Sequence, residues 1–224
     1  MKRQTIFILA FMMVSIGELT ASLIANQQLE FICKPLILLS LIGYYLASVE
    51  TRSMIFIRAL FFSWAGDVLL LFTTRAEVFF ITGLIAFLLS HLLFIQVYRQ
   101  HRGSNVGKEL LGPQKIRYAF PIVLAATGLI TILYNSLGSL RIPVMIYALV
   151  LCVMVLTALF RYGRTNGESF WMVFAGALLF MTSDSLLALN KFLNPIVGGG
   201  FIIMLTYISA QYLIVEGILR HSKK

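Results

Sequence analysis

Charged side chains are scarce in this chain of 224 residues. Lys, Arg, Asp and Glu make up 12% of it, whereas hydrophobic residues make up 59%. A soluble globular domain carries about 25% charged residues, so this chain has too few charges to cover its apolar surface in water. Its long apolar runs are separated by short polar ones, which is the pattern of membrane spans of about 20 residues. The composition therefore predicts an integral membrane protein.

Cysteine and histidine are also rare, which bears on disulfide bonds and on zinc sites. The two cysteines, Cys33 and Cys152, lie inside apolar runs, so a disulfide framework is not indicated. Of the three histidines, His101 and His221 lie in a predicted loop and tail, which excludes a three-histidine zinc site. A mixed site of two aspartates and one histidine remains an alternative, but we expect no metal and no other cofactor.

Eight apolar segments are predicted to cross the membrane as α-helices. Lipid offers no hydrogen bonds to the backbone, so a span must be a helix unless it closes into a barrel, and the period-2 alternation of barrel strands is absent. The first segment follows Lys2 and Arg3, but its length and Glu18 favour a retained helix over a signal peptide. The sequence thus predicts one all-α integral-membrane domain over residues 1–224, with spans at 5–25, 30–49, 54–72, 78–98, 116–134, 139–160, 168–190 and 198–219.

The distribution of Lys and Arg predicts how the helices are oriented. Most basic residues fall at the termini or in loops on the same side, and few fall on the other side. Because basic loops stay in the cytoplasm, we predict that both termini and the loop 99–115 are cytoplasmic, in a multi-pass protein of a bacterial inner membrane. We attribute the net charge of +9 to the basic residues that orient the helices, and we do not expect nucleic-acid binding. The basic residues of the other side are Lys34, Arg75, Arg141 and Lys191.

A weak internal repeat relates the two halves of the chain. Asp67 in the third segment and Asp184 in the seventh share the pattern Asp-x-Leu-Leu, and about half the chain separates them. We predict two four-helix halves of the same orientation. The other matching positions are Lys34-Pro35 with Arg141-Ile142-Pro143, and His91 with Gln211.

Ionisable side chains inside the predicted spans mark a candidate site. Each costs about 2.5 kcal/mol or more at a helix centre, so it needs a partner or a wet cavity. A ruler of ~1.5 Å per residue places His91 and Gln211 towards the cytoplasmic half, with the imidazole about 10 Å deeper than the remaining polar groups. Those groups share one layer in the outer half, namely Glu18, Lys34, Asp67, Asp184 and Tyr207.

The aspartate pair is the most informative feature of that layer. Two carboxylates held together in a low dielectric cannot both ionise easily, which produces a proton donor beside a proton acceptor. That is the equipment for general acid–base hydrolysis. The alternative is that Asp67 and Asp184 only pair with Lys34 or Arg58 and so hold the helices together. Small residues flank the aspartates and are expected to allow close packing rather than act as nucleophiles: Ser63, Gly66, Thr182 and Ser183.

Five short motifs follow one another on the second, third, fourth, seventh and eighth segments. They are Lys34-Pro35, Ser63-x-x-Gly66-Asp67, Gly83-Leu84-x-x-Phe87-x-x-Ser90-His91, Ser183-Asp184-Ser185-Leu186-Leu187-Ala188 and Tyr207-x-x-Ala210-Gln211. In their order and placement the chain resembles the YhhN-like membrane proteins, which include the lysoplasmalogenases, over nearly its whole length.

The resemblance implies an eight-helix fold and an ether hydrolase whose substrate is a lysophospholipid within the bilayer. Water would cleave the vinyl ether bond of a lysoplasmalogen to a fatty aldehyde and glycerophosphoethanolamine or glycerophosphocholine. The acidic residues of the family carry over onto Asp67 and Asp184 as the expected catalytic residues.

A vinyl ether is hydrolysed through protonation at carbon and an oxocarbenium ion, a logic that parallels the two carboxyls of glycosidases. One aspartate would donate the proton, and the other would stabilise the cation and orient water; the order is open. Lys34 is expected to hold the ionised aspartate or contact the lipid phosphate, and Tyr207 to position water. The other expected substrate-binding residues are His91, Gln211 and Glu18.

Two other functions use a pair of intramembrane aspartates. Intramembrane aspartyl proteases carry Gly-x-Gly-Asp, but Trp64-Ala65-Gly66-Asp67 lacks the first glycine. A small proton-coupled transporter with two four-helix halves is the main alternative to the hydrolase. Such transporters have broken helices with mid-span Gly or Pro in matching positions, whereas Pro35 and Pro143 lie at predicted helix starts.

Overall fold

A computed structural model describes residues 3–103 and 109–222, and in that part of the chain it contains eight α-helices and no strand. Each predicted span corresponds to one helix, with bounds that differ by a few residues. A short 3-10 helix, Gly138–Leu140, precedes the sixth. The helices are α1 (Arg3–Ile24), α2 (Gln27–Ser48), α3 (Met54–Leu70), α4 (Glu77–Gln100), α5 (Gly112–Leu133), α6 (Arg141–Leu159), α7 (Gly167–Phe192) and α8 (Gly199–Ser222).

Seven helices in the described residues are long and apolar enough to cross a membrane. The exception is α3, whose 17 residues rise about 25 Å, slightly less than the ~30 Å thickness of a hydrocarbon core. Large apolar side chains such as Met13, Phe120 and Leu149 are exposed on the outside of the bundle, as expected of residues that face lipid. The chain is therefore an all-α, multi-pass membrane protein, and the crossing of α3 stays a prediction.

The helices alternate in direction, so the start of α1 and the end of α8 lie at the same end of the bundle, here termed the terminal face. Gln4 Nε2 donates to the Ala47 carbonyl across α1 and α2 at 3.0 Å. Asn166 Nδ2 donates to the Arg220 carbonyl across α7 and α8, also at 3.0 Å. The opposite end, with the connections 25–26, 71–76, 134–140 and 193–198, is termed the distal face.

The cytoplasmic location of the terminal face stays a prediction, as do the single domain over 1–224 and the repeat. Residues 104–108 of the predicted loop 99–115 lie outside the described residues, as do Lys2 and the last two residues of the chain. The helix pairs α3–α4 and α7–α8, which the repeat equates, are both closely packed. By contrast, α5 lies at the edge of the bundle and buries only Ile122, Ala126 and Leu133.

Small residues bring these helix pairs close together. Ser63 Oγ of α3 lies 2.7 Å from Ser90 Oγ of α4, and a Cβ atom at Gly66 would lie only 2.6 Å from the ring of Phe87. Small residues at helix interfaces let backbones approach in this way. The expected packing role is confirmed for Ser63 and Gly66.

The two small residues that precede Asp184 differ from each other. Ser183 is buried and its hydroxyl donates to the Ile203 carbonyl of α8 at 3.0 Å, so its packing role is confirmed. The prediction is wrong for Thr182, which is exposed and whose hydroxyl bonds the Leu178 carbonyl of its own helix. One residue along a helix turns the side chain by about 100°, and this step takes Thr182 off the interface.

We predict that Gly176→Ala destabilises the protein by about 1–3 kcal/mol. A Cβ atom there would lie 2.9 Å from the Ala210 carbonyl oxygen of α8, so the backbones of α7 and α8 must separate. The measurement is thermal unfolding in detergent. Gly128→Ala is the matched control because a Cβ atom there meets nothing within 4 Å; equal melting temperatures for the two variants would contradict the role of Gly176.

Candidate functional site

The first buried carboxylate, Asp67, is held between α3 and α8. The Tyr207 hydroxyl donates to Asp67 Oδ2 at 2.6 Å, and Gln211 Nε2 donates to the Tyr207 oxygen at 3.3 Å. All three side chains are buried. The predicted residues Asp67, Tyr207 and Gln211 therefore form one hydrogen-bonded chain across two helices.

The second carboxylate, Asp184, joins α7 to α4 and α6. The Tyr147 hydroxyl donates to Asp184 Oδ2 at 2.5 Å. His91 Nε2 lies 2.9 Å from the Tyr147 oxygen and 3.3 Å from Asp184 Oδ2. Because the Tyr147 hydroxyl uses its hydrogen in the bond to Asp184, its oxygen can only accept a hydrogen bond from His91. His91 therefore carries a proton on Nε2 and is the donor.

The predicted depth of His91 is wrong, since an imidazole about 10 Å below the aspartates could not contact one. The ruler counts Cα positions, but helical side chains lean towards the N-terminus of their own helix. Helix α4 starts at the distal face and α7 at the terminal face. His91 therefore leans distally and Asp184 leans towards the terminal face, and the two side chains converge.

One aromatic ring, that of Phe180, packs against a hydrogen-bonding partner of each carboxylate. The Phe180 ring lies 5.5 Å from that of Tyr207 and 4.8 Å from that of His91. In the described residues no hydrogen bond joins Asp67 to Asp184, although each is within electrostatic reach of the other. The predicted pair therefore consists of two neighbouring carboxylates that are held separately.

The third ionisable cluster pairs α1 with α2. Lys34 Nζ lies 3.6 Å from Glu18 Oε1, and the Glu18 side chain is fully buried. Both groups are within electrostatic reach of Asp67. Neither Lys34 nor Arg58 forms an ion pair with an aspartate in the described part of the chain, so the aspartates join helices through tyrosines and not through these cations.

An apolar cleft opens beside Asp184, and Asp67 is not in its lining. It contains about 570 Å³ of space, its open mouth included, between α4, α5, α6, α7 and the end of α3. Phe80 and Phe192 line it near the distal face, and Tyr147 lines it beside Asp184. Among the described residues Asp184 is the only acidic or basic side chain in the lining. It remains 11% exposed, so it can meet a molecule in the cleft.

Tyr147 is the site residue that the sequence analysis missed. Unlike Tyr207, Tyr147 belongs to none of the five motifs, and a tyrosine in an apolar segment has the same pattern as a core aromatic. Its signal was that a buried tyrosine hydroxyl normally has a hydrogen-bond partner. In residues 3–103 and 109–222 no three His, Cys, Asp or Glu side chains come close enough to hold a metal ion, so the mixed aspartate–histidine metal site is not formed there.

These features define a class of protein. It is a multi-pass membrane protein with two separately bonded carboxylates inside its helix bundle, one of them at an apolar cleft. The chain belongs to the YhhN family, whose model matches residues 29–218. This match confirms the resemblance drawn from the motifs and includes Lys34, His91, Tyr147 and both aspartates.

Curated relatives carry the name lysoplasmalogenase. The chain is 30% identical over 163 residues to human lysoplasmalogenase TMEM86B, a match that covers 72% of this chain and 62% of the human protein. It is 33% identical over 167 residues to the lysoplasmalogenase of Mycobacterium tuberculosis, covering 71% of this chain and 58% of that protein. The chain thus spans less than two thirds of the length of these two relatives. No solved structure matches the chain.

We predict that Tyr147→Phe destabilises the protein by about 1–3 kcal/mol, because Asp184 loses a hydrogen bond in a partly buried site. Thermal unfolding in detergent measures this loss. Tyr118→Phe is the control, since Tyr118 is 48% exposed on α5 and should change stability by less than about 0.5 kcal/mol. A Tyr147→Phe protein as stable as wild type would show that the hydroxyl does not support Asp184.

Proposed function

We propose that the protein is an ether hydrolase that cleaves the vinyl ether bond of lysoplasmalogens. The products are a fatty aldehyde and glycerophosphoethanolamine or glycerophosphocholine. The observation that supports this most is Asp184 in the wall of an apolar cleft within the membrane bundle. The names of the relatives support the same substrate class.

Asp184 is the proposed proton donor because it is the aspartate that faces the cleft. Tyr147 and His91 both bond its Oδ2 atom, and no hydrogen bond to Oδ1 occurs in the described residues. Oδ1 is therefore the atom that can carry the reacting proton. A second carboxylate within electrostatic reach favours one proton shared by the pair.

The proposed reaction has two steps with Asp184 as acid and then base. Its proton adds to the vinyl carbon farther from the ether oxygen, and an oxocarbenium ion forms at the other carbon. The carboxylate left behind then accepts a proton from the water that attacks this carbon. In the resulting hemiacetal the bond to the glycerol oxygen breaks, the hydroxyl loses its proton and becomes the aldehyde carbonyl, and the glycerol oxygen takes up a proton, so no net proton is gained or lost. The logic parallels that of glycosidases.

Asp67 acts in this proposal through its charge and not through contact with the substrate. It is 4% exposed and does not line the cleft. The rings of Phe180 and Phe87 lie beside Tyr207, which holds it. When Asp184 holds the proton shared by the pair, Asp67 carries the negative charge and stabilises the developing cation without needing to move, as preorganised electrostatics does in other enzymes.

The hydrocarbon chain of the substrate is placed in the cleft and in the groove beside it. The lining of the cleft is apolar except for Tyr147, Asp184 and Ser185, which suits a hydrocarbon chain. Ser185 lines both the cleft and a groove between α5 and α7, whose other walls include Pro121, Ile122 and Leu178. A flexible single chain can thus pass Asp184 and continue between the helices.

We expect Asp184→Asn and Asp67→Asn each to lower turnover by at least ~100-fold, since each removes a carboxyl needed for proton transfer or cation stabilisation. The measurement is fatty aldehyde release from a lysoplasmalogen by protein purified in detergent. Glu77→Gln is the control, because Glu77 is an exposed carboxylate at the distal end of α4.

Each outcome of that assay has a defined meaning. Wild-type turnover in Asp184→Asn would remove this residue from the mechanism, and the same result in Asp67→Asn would remove the electrostatic role. Absence of aldehyde from folded wild type would contradict the hydrolase. A transporter needs a sealed compartment, so detergent activity also distinguishes the two main alternatives.

A further inference from the structure

Lys191 stands at the distal mouth of the cleft. Its Nζ atom lies 5.2 Å from the centre of the Phe80 ring. The Phe80 ring packs edge-on against that of Phe192 at 5.7 Å, and both rings line the cleft. Lys191 is exposed, and no carboxylate lies within ion-pair distance of it in the described residues. Its ammonium group is thus available to an anion at the mouth.

The spacing between Lys191 and Asp184 matches a lysophospholipid. Lys191 follows Asp184 on α7 by about two helical turns, so the residues share a face about 10 Å apart along the helix. In a lysoplasmalogen the glycerol carbons separate the phosphate from the vinyl ether oxygen by about 6 Å when extended. The remaining distance is within the reach of a flexible lysine side chain and of the reacting vinyl carbons.

The other predicted basic residues of the distal side are engaged elsewhere. Lys34 pairs with Glu18 at 3.6 Å. Arg141 Nε donates to the Tyr134 carbonyl at 3.1 Å. Arg75 lies over the Phe72 ring, which does not line the cleft. Lys191 is therefore the distal cation best placed for a group entering the cleft.

We propose that Lys191 binds the phosphodiester of the substrate lysophospholipid and so fixes the depth at which the vinyl ether meets Asp184. The nature of the lipid rests on the proposed function. The sequence analysis considered Lys34 for the phosphate, and the structure favours Lys191 because it stands at the cleft. Lys191 is a positioning and specificity residue and takes no part in proton transfer.

The kinetic test compares two substrates with the same alkenyl chain, a lysoplasmalogen and a 1-alkenylglycerol that lacks the phosphate. Lys191→Gln should raise KM for the lysoplasmalogen about tenfold or more, as expected for loss of a bond to a charged group. It should leave KM for the neutral substrate unchanged. Lys191→Arg keeps the positive charge and should restore the low KM for the lysoplasmalogen.

Arg75→Gln is the matched control, since it removes one positive charge from the same face and one cation beside a phenylalanine ring. The inference is overturned if Lys191→Gln changes KM for both substrates equally or for neither. It is also overturned if Arg75→Gln raises KM for the lysoplasmalogen selectively to the same extent. If Lys34→Gln alone raised KM for the lysoplasmalogen and not for the neutral substrate, the phosphate would bind at Lys34 instead. That result would also overturn the inference.

A binding measurement separates this inference from the proposed function. The probes are a non-hydrolysable 1-alkyl lysophospholipid and the corresponding 1-alkylglycerol, each radiolabelled and titrated onto detergent-purified protein. Wild type should bind the phospholipid at least about tenfold more tightly, and Lys191→Gln should lose that difference. If binding depends on Lys191 but wild type releases no aldehyde, only the proposed hydrolase function is contradicted. If wild type binds the two probes equally, only the proposed role of Lys191 is contradicted.

Discussion

Every feature of the site depends on the cost of placing a carboxylate in a membrane. Such a group must have partners, and here the partners come from other helices. Tyr207 of α8 reaches Asp67 of α3, and Tyr147 of α6 reaches Asp184 of α7. In both bonds a long tyrosine side chain reaches the carboxylate from another helix. Small residues bring α3 close to α4 and α7 close to α8, and these two helix pairs carry Asp67, His91, Asp184 and Tyr207. The packing of the fold and the assembly of the site are therefore linked.

The two aspartates occupy matching places in the predicted repeat but have different surroundings. Asp67 bonds a tyrosine that bonds the neutral Gln211, and aromatic rings separate this chain from the cleft. Asp184 bonds a tyrosine and an imidazole, and one of its oxygens faces apolar space. Environment is what gives two identical carboxyl groups different roles. In the proposed mechanism, the carboxyl at the cleft would act as the acid and the one behind the rings would act through its charge.

Much of this structure follows from the sequence because lipid imposes a simple pattern. Apolar length alone located all eight helices, and the cost of buried charge located both aspartates, Glu18 and Lys34. The depth of His91 could not be obtained in this way, since it depends on the direction in which side chains lean on antiparallel helices. Tyr147 and the cleft were missed for a related reason, because both depend on how several helices pack together, and this packing leaves no pattern in the sequence of any one helix.

The position of the cleft also indicates from which leaflet of the membrane a lipid could enter it. Its walls include Phe80 at the start of α4 and Phe192 at the end of α7, both at the distal face. A lipid in the distal leaflet could slide its chain into the cleft while its headgroup stays in the interface, so no polar group need cross the bilayer. A lipid of the terminal leaflet would have to carry its phosphate past the apolar centre, at the cost that keeps charges out of lipid. If basic loops hold the terminal face in the cytoplasm, as predicted, the proposed hydrolase would act on the outer leaflet and would release its glycerophospho product outside.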